Sequence, residues 1–289
     1  MIADAHYHLD PRLESLDRLL AQMREHGIDR VALIATMCDP LHVSPLAWKF
    51  GKVMRGALAG AAPRIGQFLY RTTVRRGRVS FLGRSSAIYP RPDNDAVERA
   101  MTAHPDRLAG WFFVNPLVPG ALDEASRRLR RPGWIGIKAH PFWHGYPVAA
   151  LDDFAALCHD RGKPMLIHLG AGRERGDYRR LPDRFPRLKI VYAHAGIPWY
   201  RTLWEDATRR DNVFVDLSSP YLDKALRYEA LRALGAARCL YGSDGPYGYP
   251  AADGGYDHGA ILGQIQRCGL GDRDLERVLG GNFAALIAA

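Results

Sequence analysis

An alternation that runs the length of the chain constrains the fold more than any other feature: eight short apolar segments are separated by segments of helical periodicity. Several of the apolar segments are continuous runs, which is typical of parallel strands buried on both faces. Eight strands that alternate with helices predict an α/β protein of the (β/α)8 TIM-barrel class, with a doubly wound open sheet as the alternative. The predicted strands are Ile2–His6, Arg30–Ala35, Leu108–Val114, Trp134–Ala139, Pro164–His168, Lys189–His194, Val213–Asp216 and Cys239–Gly242.

The predicted helices fit between these strands. Residues 12–26 place leucines and Met23 at helical spacing, and Gly27 can end that helix. No glycine-rich phosphate motif follows a predicted strand, which disfavours a dinucleotide-binding fold. A length of 289 residues suits a single barrel domain over residues 1–289. The other clear helical patterns are Ala121–Arg130, Leu151–Arg161, Leu222–Leu234 and Gly259–Cys268.

A long insertion, residues 38–92, follows the second predicted strand and is far longer than an ordinary connection. It holds ten Lys or Arg and, between Pro40 and Pro92, no Asp or Glu, so the rest of a chain of net charge +9 is close to neutral. Apolar residues recur in it at helical spacing, which predicts two short basic amphipathic helices joined near Gly60 and Pro63. The apolar positions are Leu46, Phe50, Val53 and Ala57 in the first helix and Ile65, Phe68 and Leu69 in the second.

The insertion is expected to lie over the site. Loops that follow barrel strands lie on the catalytic face, so we expect a lid or cap that also makes a homodimer contact. Its basic charge leaves binding to nucleic acid or to an anionic membrane surface as the alternative. We expect no nucleic-acid partner, because apolar faces in an insertion above a barrel usually pack on the protein itself.

The cysteines and the N-terminus predict a cytoplasmic protein. Cys38, Cys158, Cys239 and Cys268 form no closely spaced pair, so buried thiols are expected rather than disulfides. The first residues lack the basic start and apolar run of a signal peptide, and no stretch is apolar for the roughly 20 residues of a membrane span.

Histidines and one aspartate fall at the ends of predicted strands. His6 and His8 end the first strand, His168 the fifth and His194 the sixth, while Asp244 follows the eighth. Strand ends converge at the mouth of a barrel, and alternate residues of a strand point the same way, so His6 and His8 can bind one ion together. His168 and Asp244 would complete a nitrogen and oxygen ligand set suited to Zn²⁺ or to another divalent transition metal.

The motifs around these residues resemble the amidohydrolase superfamily, and more closely its amidohydrolase-2 branch of decarboxylases and small-ring hydrolases. The resemblance covers nearly the whole chain except the insertion. The matching segments are Asp4-Ala5-His6-Tyr7-His8, His104-Pro105-Asp106-Arg107, Gly136-Ile137-Lys138-Ala139-His140-Pro141, Phe185-Pro186-Arg187-Leu188, Ala193-His194-Ala195-Gly196, Gly242-Ser243-Asp244 and Gly281-Asn282-Phe283.

The resemblance implies that His6, His8, His168 and Asp244 bind the metal and that His194 polarises the substrate or steers the attacking water. A divalent ion lowers the pKa of bound water toward 7. Ionised Asp244 can take a proton from that water and pass it to the leaving group, and neutral His194 can donate a hydrogen bond to a developing oxyanion.

Lys138 ends the fourth predicted strand and has three possible roles. In some relatives a lysine here is carboxylated and bridges two metal ions, so one ion is expected with unmodified Lys138 and two with the carboxylated form. It can instead bind a substrate carboxylate or phosphate, or form a structural ion pair. His140, two residues on, can share the site.

Loop residues near these strands are weaker candidates for contact with the substrate. Trp143 and Tyr146 follow the fourth strand and Arg173 follows the fifth, where they can line a pocket or bind an anion. Asp216 and Ser218 end the seventh strand, where we expect them to support the site residues.

Two activities fit this site equally well. The first is hydrolysis of an ester, lactone, amide or phosphoester by metal-activated water. The second is metal-dependent nonoxidative decarboxylation of an aromatic or unsaturated carboxylic acid, in which the metal holds the substrate itself. Lys138, the nearby arginines and the basic insertion indicate a small anionic substrate.

Overall fold

Strand pairing bends the main sheet of the protein into a barrel. A computed structural model describes residues 1–40, 56, 63–81, 84–219, 222–253 and 255–288. Eight strands pair in chain order as β1-β2-β6-β7-β8-β9-β10-β11, and every neighbouring pair is parallel. The strands are β1 (Ala3–Leu9), β2 (Arg30–Ala35), β3 (Val74–Arg75), β4 (Arg78–Phe81), β5 (Arg84–Ala87), β6 (Leu108–Val114), β7 (Trp134–Ala139), β8 (Met165–Ile167), β9 (Ile190–Tyr192), β10 (Val213–Asp216) and β11 (Cys239–Leu240).

The first and last barrel strands meet along a seam that closes the barrel. The backbone N–H of Ala5 donates to the carbonyl oxygen of Tyr241 at 3.0 Å, and that of Asp244 donates to the carbonyl oxygen of His6 at 2.7 Å. Tyr7 and Gly245 form a parallel bridge beyond them. This closure confirms the predicted TIM barrel and excludes the open sheet, because an open sheet would leave these backbone groups on two separate edges.

The predicted elements are present, with small shifts at their ends. The strands β2, β6, β7 and β10 have the bounds predicted from the sequence, whereas β8, β9 and β11 are shorter than predicted. Apolar residues of the helices pack against the barrel, as Leu19 and Met23 do in the first helix. The described α-helices are Leu16–Glu25, Pro63–Thr72, Asn94–Ala103, Ala121–Arg128, Pro141–His144, Asp152–Asp160, Arg180–Arg184, Tyr200–Ala207, Lys224–Leu234, Gly259–Gln266, Asp272–Glu276 and Asn282–Ile287. None of the helices in these ranges is long and apolar enough to cross a membrane.

The insertion contains a helix and a small sheet. The second predicted helix is confirmed as Pro63–Thr72, the insertion helix, whereas the first falls outside the described residues. The strands β3, β4 and β5 form an antiparallel sheet, which the prediction of a purely helical insertion did not include. A two-residue turn joins β3 to β4, with φ of 50° at Arg76 and 68° at Gly77. Positive φ at both turn positions matches the right-handed twist of a hairpin, and glycine adopts it at the second position without strain.

The insertion packs over the barrel mouth with only part of its predicted apolar face, because Leu69 contacts the core whereas Ile65 and Phe68 do not. Ile65 and Phe68 are exposed, at 61% and 65%, whereas Tyr70 of the same helix is buried at 2%. Val79 of the small sheet packs with Ile88, which directly follows it, and this cluster contacts Trp143 in the short helix after β7. The described part of the insertion therefore reaches the carboxyl ends of the barrel strands.

Candidate metal centre

Barrel strands carry the predicted site residues to one buried point. His6 and His8 lie in β1, Lys138 in β7, His168 directly after β8, His194 just after β9, and Asp244 beyond β11. All of these residues are 8% exposed or less. The carboxyl ends of parallel barrel strands converge, which explains why residues so far apart in sequence share one place.

Asp244 lies between His6 and His194. One carboxylate oxygen of Asp244 is 3.3 Å from Nε2 of His6, and the other is 3.9 Å from Nε2 of His194. One ligand atom from each of these three residues lies within 4.8 Å of the others, close enough for one ion to contact all three.

The other two predicted metal ligands flank this group. Nε2 of His8 is 3.5 Å from Asp244 Oδ1, and Nδ1 of His168 is 3.0 Å from Nε2 of His194. His8 and His168 therefore lie beside the group of His6, His194 and Asp244, each within 3.5 Å of one of its members. The structure also places His194, which the sequence assigns to catalysis, among the atoms that an ion could contact.

Each of the four histidines has one ring nitrogen facing this centre and the other held by an outer partner. Nδ1 of His6 contacts the carboxylate of Asp216 at 2.8 Å, and Nδ1 of His8 contacts the carbonyl oxygen of Ala35 at 3.4 Å. The other two outer partners are Ser218 Oγ, 2.9 Å from His194 Nδ1, and the Tyr70 hydroxyl, 2.7 Å from His168 Nε2. Such outer partners fix the tautomer and the orientation of metal-binding histidines.

The tautomer of His194 follows from its partner. Ser218 donates its hydroxyl proton to Asp216 Oδ1 at 2.5 Å, so its oxygen accepts from Nδ1–H of His194. A neutral His194 with its proton on Nδ1 presents a lone pair on Nε2 toward the centre. This arrangement favours His194 as a ligand or hydrogen-bond acceptor there, because the predicted donor role needs a proton on Nε2.

Burial keeps the histidines neutral and makes Asp244 a weak acid. It lowers the pKa of His6, His168 and His194 well below the usual 6.5 and that of His8 to about 3. Burial also raises the pKa of Asp244 to about 7, an effect that the Lys138 charge opposes. Neutral imidazoles and a carboxylate are the forms that bind divalent ions, so the donor set fits a divalent metal.

The backbone holds two of these side chains in an unusual conformation. His194 has a φ of 56° and Asp244 a φ of 57°, and Ser219 beside them has a φ of 78°. Residues with a Cβ rarely occupy this left-handed region, and such strain concentrates at functional sites. The surrounding fold thus maintains these two residues in place at a conformational cost.

Lys138 approaches the same centre from β7. Its Nζ lies 3.3 Å from Nε2 of His6, and the side chain is 1% exposed. No carboxylate lies within 4.0 Å of Nζ among the residues described. Burial lowers the pKa of Lys138 to about 8, an effect that the charges of Asp216 and Asp244 oppose. Burial therefore favours the neutral amine, which is the form that carboxylation of a lysine requires.

The weaker candidates occupy different places. The ring of His140 stacks on His168, with ring centroids 3.9 Å apart, and its Nδ1 accepts from the backbone N–H of Trp143. The half-buried ring of Trp143 lies 5.5 Å from that of His140. Tyr146 is fully buried, and its hydroxyl accepts from the backbone N–H of His140, so it helps to hold His140 in place. Arg173 is exposed.

Two contacts at the site were not anticipated in full. Asp216 accepts from His6, from the backbone N–H groups of His194 and Ser218, and from the Ser218 hydroxyl. The sequence indicates a supporting role for Asp216 but not this number of donors. Tyr70 was missed entirely, because a tyrosine within a long insertion carries no spacing signal that relates it to a barrel strand.

Asp4, at the start of β1, gives a pH-dependent prediction for stability. It accepts from the backbone N–H groups of His6 and Ser243, each at 3.0 Å, yet burial raises its pKa to about 6. A raised folded-state pKa contributes stability below about pH 4, and that contribution is lost as pH rises through about 6. Asn cannot ionise, so Asp4→Asn should not lose this contribution. The difference in unfolding free energy between Asp4→Asn and wild type should therefore shift by about 3 kcal/mol in favour of the variant from pH 4 to pH 7.

Urea denaturation of the metal-free protein across this pH range measures the gain. Asp17→Asn, on the exposed face of the first helix, is the matched control and should stay parallel to wild type. An Asp4→Asn curve that also stays parallel to wild type would show that Asp4 does not titrate as its burial predicts.

Sequence and structure comparisons address the chain as a whole. The sequence profile of the amidohydrolase family, described as "Amidohydrolase", matches residues 3–287. No curated protein matches the chain in a sequence search.

Solved structures of similar fold include enzymes of several reaction types. A 5-carboxyvanillate decarboxylase from Sphingomonas paucimobilis is 18% identical, with a TM-score of 0.62 over 99% of this chain and 98% of that one. A probable 2-pyrone-4,6-dicarboxylic acid hydrolase from Acinetobacter baumannii, solved with citric acid, is 14% identical, with a TM-score of 0.64 over 100% and 99%. A dihydroxybenzoic acid decarboxylase from Polaromonas, solved with manganese and 2-nitroresorcinol, is 15% identical, with a TM-score of 0.59 over 99% and 96%. At these identities the likeness shows the fold.

Proposed function

The chain belongs to the amidohydrolase family, and on that basis we propose that it is a metal-dependent hydrolase of an ester, lactone, amide or phosphoester bond in a small anionic substrate. The observation that carries the proposal is the position of Asp244, whose carboxylate lies 3.3 Å from His6 Nε2 and 3.5 Å from His8 Nε2. A carboxylate held among metal-binding nitrogens can both contact the ion and accept a proton from a reacting water.

The proposed metal ligands are His6, His8, His168 and Asp244, with Zn²⁺ as the first choice. When bound, a divalent ion supplies Lewis-acid activation of water and of the bond to be broken. One ion is proposed with unmodified Lys138 and two with its carboxylated form. Mn²⁺ is the second choice of metal, since the Polaromonas decarboxylase of similar fold contains manganese.

Asp244 and His194 are the residues proposed to handle protons. Asp244 accepts a proton from the attacking water and returns it to the leaving group, as a carboxylate positioned as general base and then general acid can do. His194 has its proton held on Nδ1 by Ser218, so its Nε2 can accept a hydrogen bond and orient the water. These roles need no large movement, because both side chains already face the same point.

Lys138 is proposed to bind an acidic group of the substrate. The ammonium group of Lys138 is buried beside the centre and has lost its hydration. A carboxylate or phosphate of the substrate would compensate for that loss. The three solved structures described above have carboxylic acids in their names, among them 5-carboxyvanillate and 2-pyrone-4,6-dicarboxylic acid. His140 and Trp143 follow Lys138 directly after β7, and we propose that they line the substrate pocket. Tyr146 is proposed to lie behind them and Arg173 nearer the surface.

A second candidate activity is nonoxidative decarboxylation of an aromatic or unsaturated carboxylic acid. The aromatic rings after β7 favour it, since Trp143 and Phe142 both lie near His140 and aromatic rings prefer aromatic partners. In that reaction the carbon–carbon bond to the carboxylate breaks, and Asp244 in its protonated form supplies the proton to carbon.

An isotope experiment separates the two activities. The metal-loaded protein is incubated in H₂¹⁸O with a panel of carboxylated lactones and hydroxylated aromatic acids, and products are analysed by mass spectrometry. Hydrolysis adds one ¹⁸O atom to the product and releases no CO₂, which is the expected result. Release of CO₂ without ¹⁸O in the organic product would replace the proposal with decarboxylation.

The insertion is proposed to be a lid, and a homodimer contact is proposed on its outer face. The contact between Tyr70 and His168 and the packing of Val79 and Ile88 against Trp143 support the lid. The exposed apolar side chains of Ile65 and Phe68 support the dimer contact.

A further inference from the structure

We propose that Tyr70 is a positioning residue for His168, and that through it the insertion controls how tightly the metal centre holds its ion. The inference rests on the proposed function only in requiring that a divalent ion binds at the centre. It assigns the insertion a part in building the site, beyond covering it.

The contact between Tyr70 and His168 is buried and well supported. The hydroxyl oxygen of Tyr70 lies 2.7 Å from Nε2 of His168, and Tyr70 is 2% exposed. The Tyr70 ring stacks on that of Phe142, with centroids 4.1 Å apart and an interplanar angle of 24°. Phe142 belongs to the short helix Pro141–His144 directly after β7, so the barrel fixes the ring on which Tyr70 rests.

Comparison of the outer partners singles out His168. Groups of the barrel strands and the loop after β10 hold the other three histidines: Asp216 for His6, the Ala35 carbonyl for His8 and Ser218 for His194. For His168 the corresponding contact comes from the insertion helix. One proposed ligand is thus oriented by a segment that is not part of the barrel.

Stacking alone does not orient the His168 ring. The His140 ring lies nearly parallel to it, at 3.9 Å and 18°, which fixes the plane of the imidazole but allows a half-turn about the Cβ–Cγ bond that exchanges ring nitrogens and carbons. A hydrogen bond at Nε2 removes this freedom and leaves Nδ1 facing His194 Nε2 at 3.0 Å.

The same contact can hold the tautomer that an ion needs, because a hydroxyl oxygen accepts a hydrogen bond as readily as the hydroxyl donates one. A ligand nitrogen must carry a lone pair, so metal binding at Nδ1 places the proton of neutral His168 on Nε2. The Tyr70 oxygen can accept that proton in a hydrogen bond, as outer partners of metal-binding histidines do. Loss of such a partner typically weakens metal binding by about 10- to 100-fold.

The first test measures Mn²⁺ affinity in the full-length protein. Metal-free wild type and Tyr70→Phe are titrated with Mn²⁺ by isothermal calorimetry, and free Mn²⁺ is followed by electron paramagnetic resonance. We expect Tyr70→Phe to bind Mn²⁺ about 10- to 100-fold more weakly while its metal-free thermal midpoint stays near that of wild type, because Phe retains the stack on Phe142. Tyr89→Phe makes the same change at the far end of the insertion, where the hydroxyl contacts Asp39 and Arg12, and should leave Mn²⁺ affinity unchanged.

The outcomes separate this inference from the proposed function. Wild type that binds Mn²⁺, together with Tyr70→Phe of equal affinity, would overturn the role of Tyr70 and leave the metal centre intact. Wild type that binds neither Mn²⁺ nor Zn²⁺ would overturn both.

A second test needs no variant and therefore does not depend on one folding. In Zn²⁺-loaded protein labelled with ¹⁵N-histidine, the ring nitrogens of His168 report the tautomer directly. We expect the proton on Nε2. A proton on Nδ1 would overturn the inference, because the Tyr70 contact would then be at the unprotonated nitrogen.

Discussion

Replacing Asp244 with Asn is expected to lower kcat by about 10²- to 10⁴-fold, the range that a positioned general acid or base contributes. The substitution keeps the shape of the side chain but removes its charge and its ability to take a proton. One carboxylate oxygen of Asp244 also lies 3.3 Å from Nε2 of His6 and 3.5 Å from Nε2 of His8, so we expect the variant to bind less metal. Steady-state kinetics and elemental analysis of the same preparation measure the two effects.

The loop after β11 offers a matched control for this prediction. Asp253 lies in that loop with its side chain 60% exposed and paired with Arg18, so Asp253→Asn makes the same chemical change away from the centre. It should retain wild-type kcat and metal content. Full metal content in Asp244→Asn with unchanged kcat would remove Asp244 from both roles.

Asp216→Ala is expected to reduce the unfolding free energy of the metal-free protein by about 3–5 kcal/mol. Asp216 is fully buried and accepts four hydrogen bonds, at 2.8 Å from His6 Nδ1, at 2.9 Å and 3.1 Å from the backbone N–H groups of His194 and Ser218, and at 2.5 Å from the Ser218 hydroxyl. Alanine leaves these donors without their acceptor in a place that water does not reach. Urea denaturation measures the loss.

Asp216→Asn tests the part of this effect that concerns His6. Asn can still accept from the backbone donors through its amide oxygen, but its amide N–H₂ group would face His6 Nδ1–H. His6 would then move its proton to Nε2, and its lone pair would no longer face the centre. We expect weaker metal binding with a smaller loss of stability than in Asp216→Ala. Equal metal affinity in wild type and Asp216→Asn would contradict this reasoning about the His6 tautomer.

The sequence predicts those parts of the site that follow from periodicity. Buried parallel strands are apolar runs, so both ends of β2, β6, β7 and β10 could be predicted from the sequence. Residues that end barrel strands must meet at the barrel mouth. His6, His168 and Asp244 are brought together for that reason. Asp216 and Ser218 could be assigned to support by the same argument, since they end the seventh barrel strand.

Contacts that depend on three-dimensional packing could not be predicted. Tyr70 belongs to a helix whose apolar spacing points to Ile65, Phe68 and Leu69, yet packing over the barrel leaves Ile65 and Phe68 exposed and buries Tyr70. The strands β3, β4 and β5 are too short, at two to four residues, for alternation to distinguish them from a loop. The proton position on His194 depends on a Ser218–Asp216 hydrogen bond that no sequence pattern records.

The seam between β1 and β11 gives the proposed ion a part in holding the chain together. His6 and Asp244 are joined across it by a backbone hydrogen bond of 2.7 Å, although nearly the whole chain lies between them. An ion that contacts both residues would cross-link the first and last strands of the barrel. This cross-link can form only once the last strand has paired with the first. Metal binding should therefore stabilise the closed barrel selectively, by an amount that grows with the logarithm of free metal concentration.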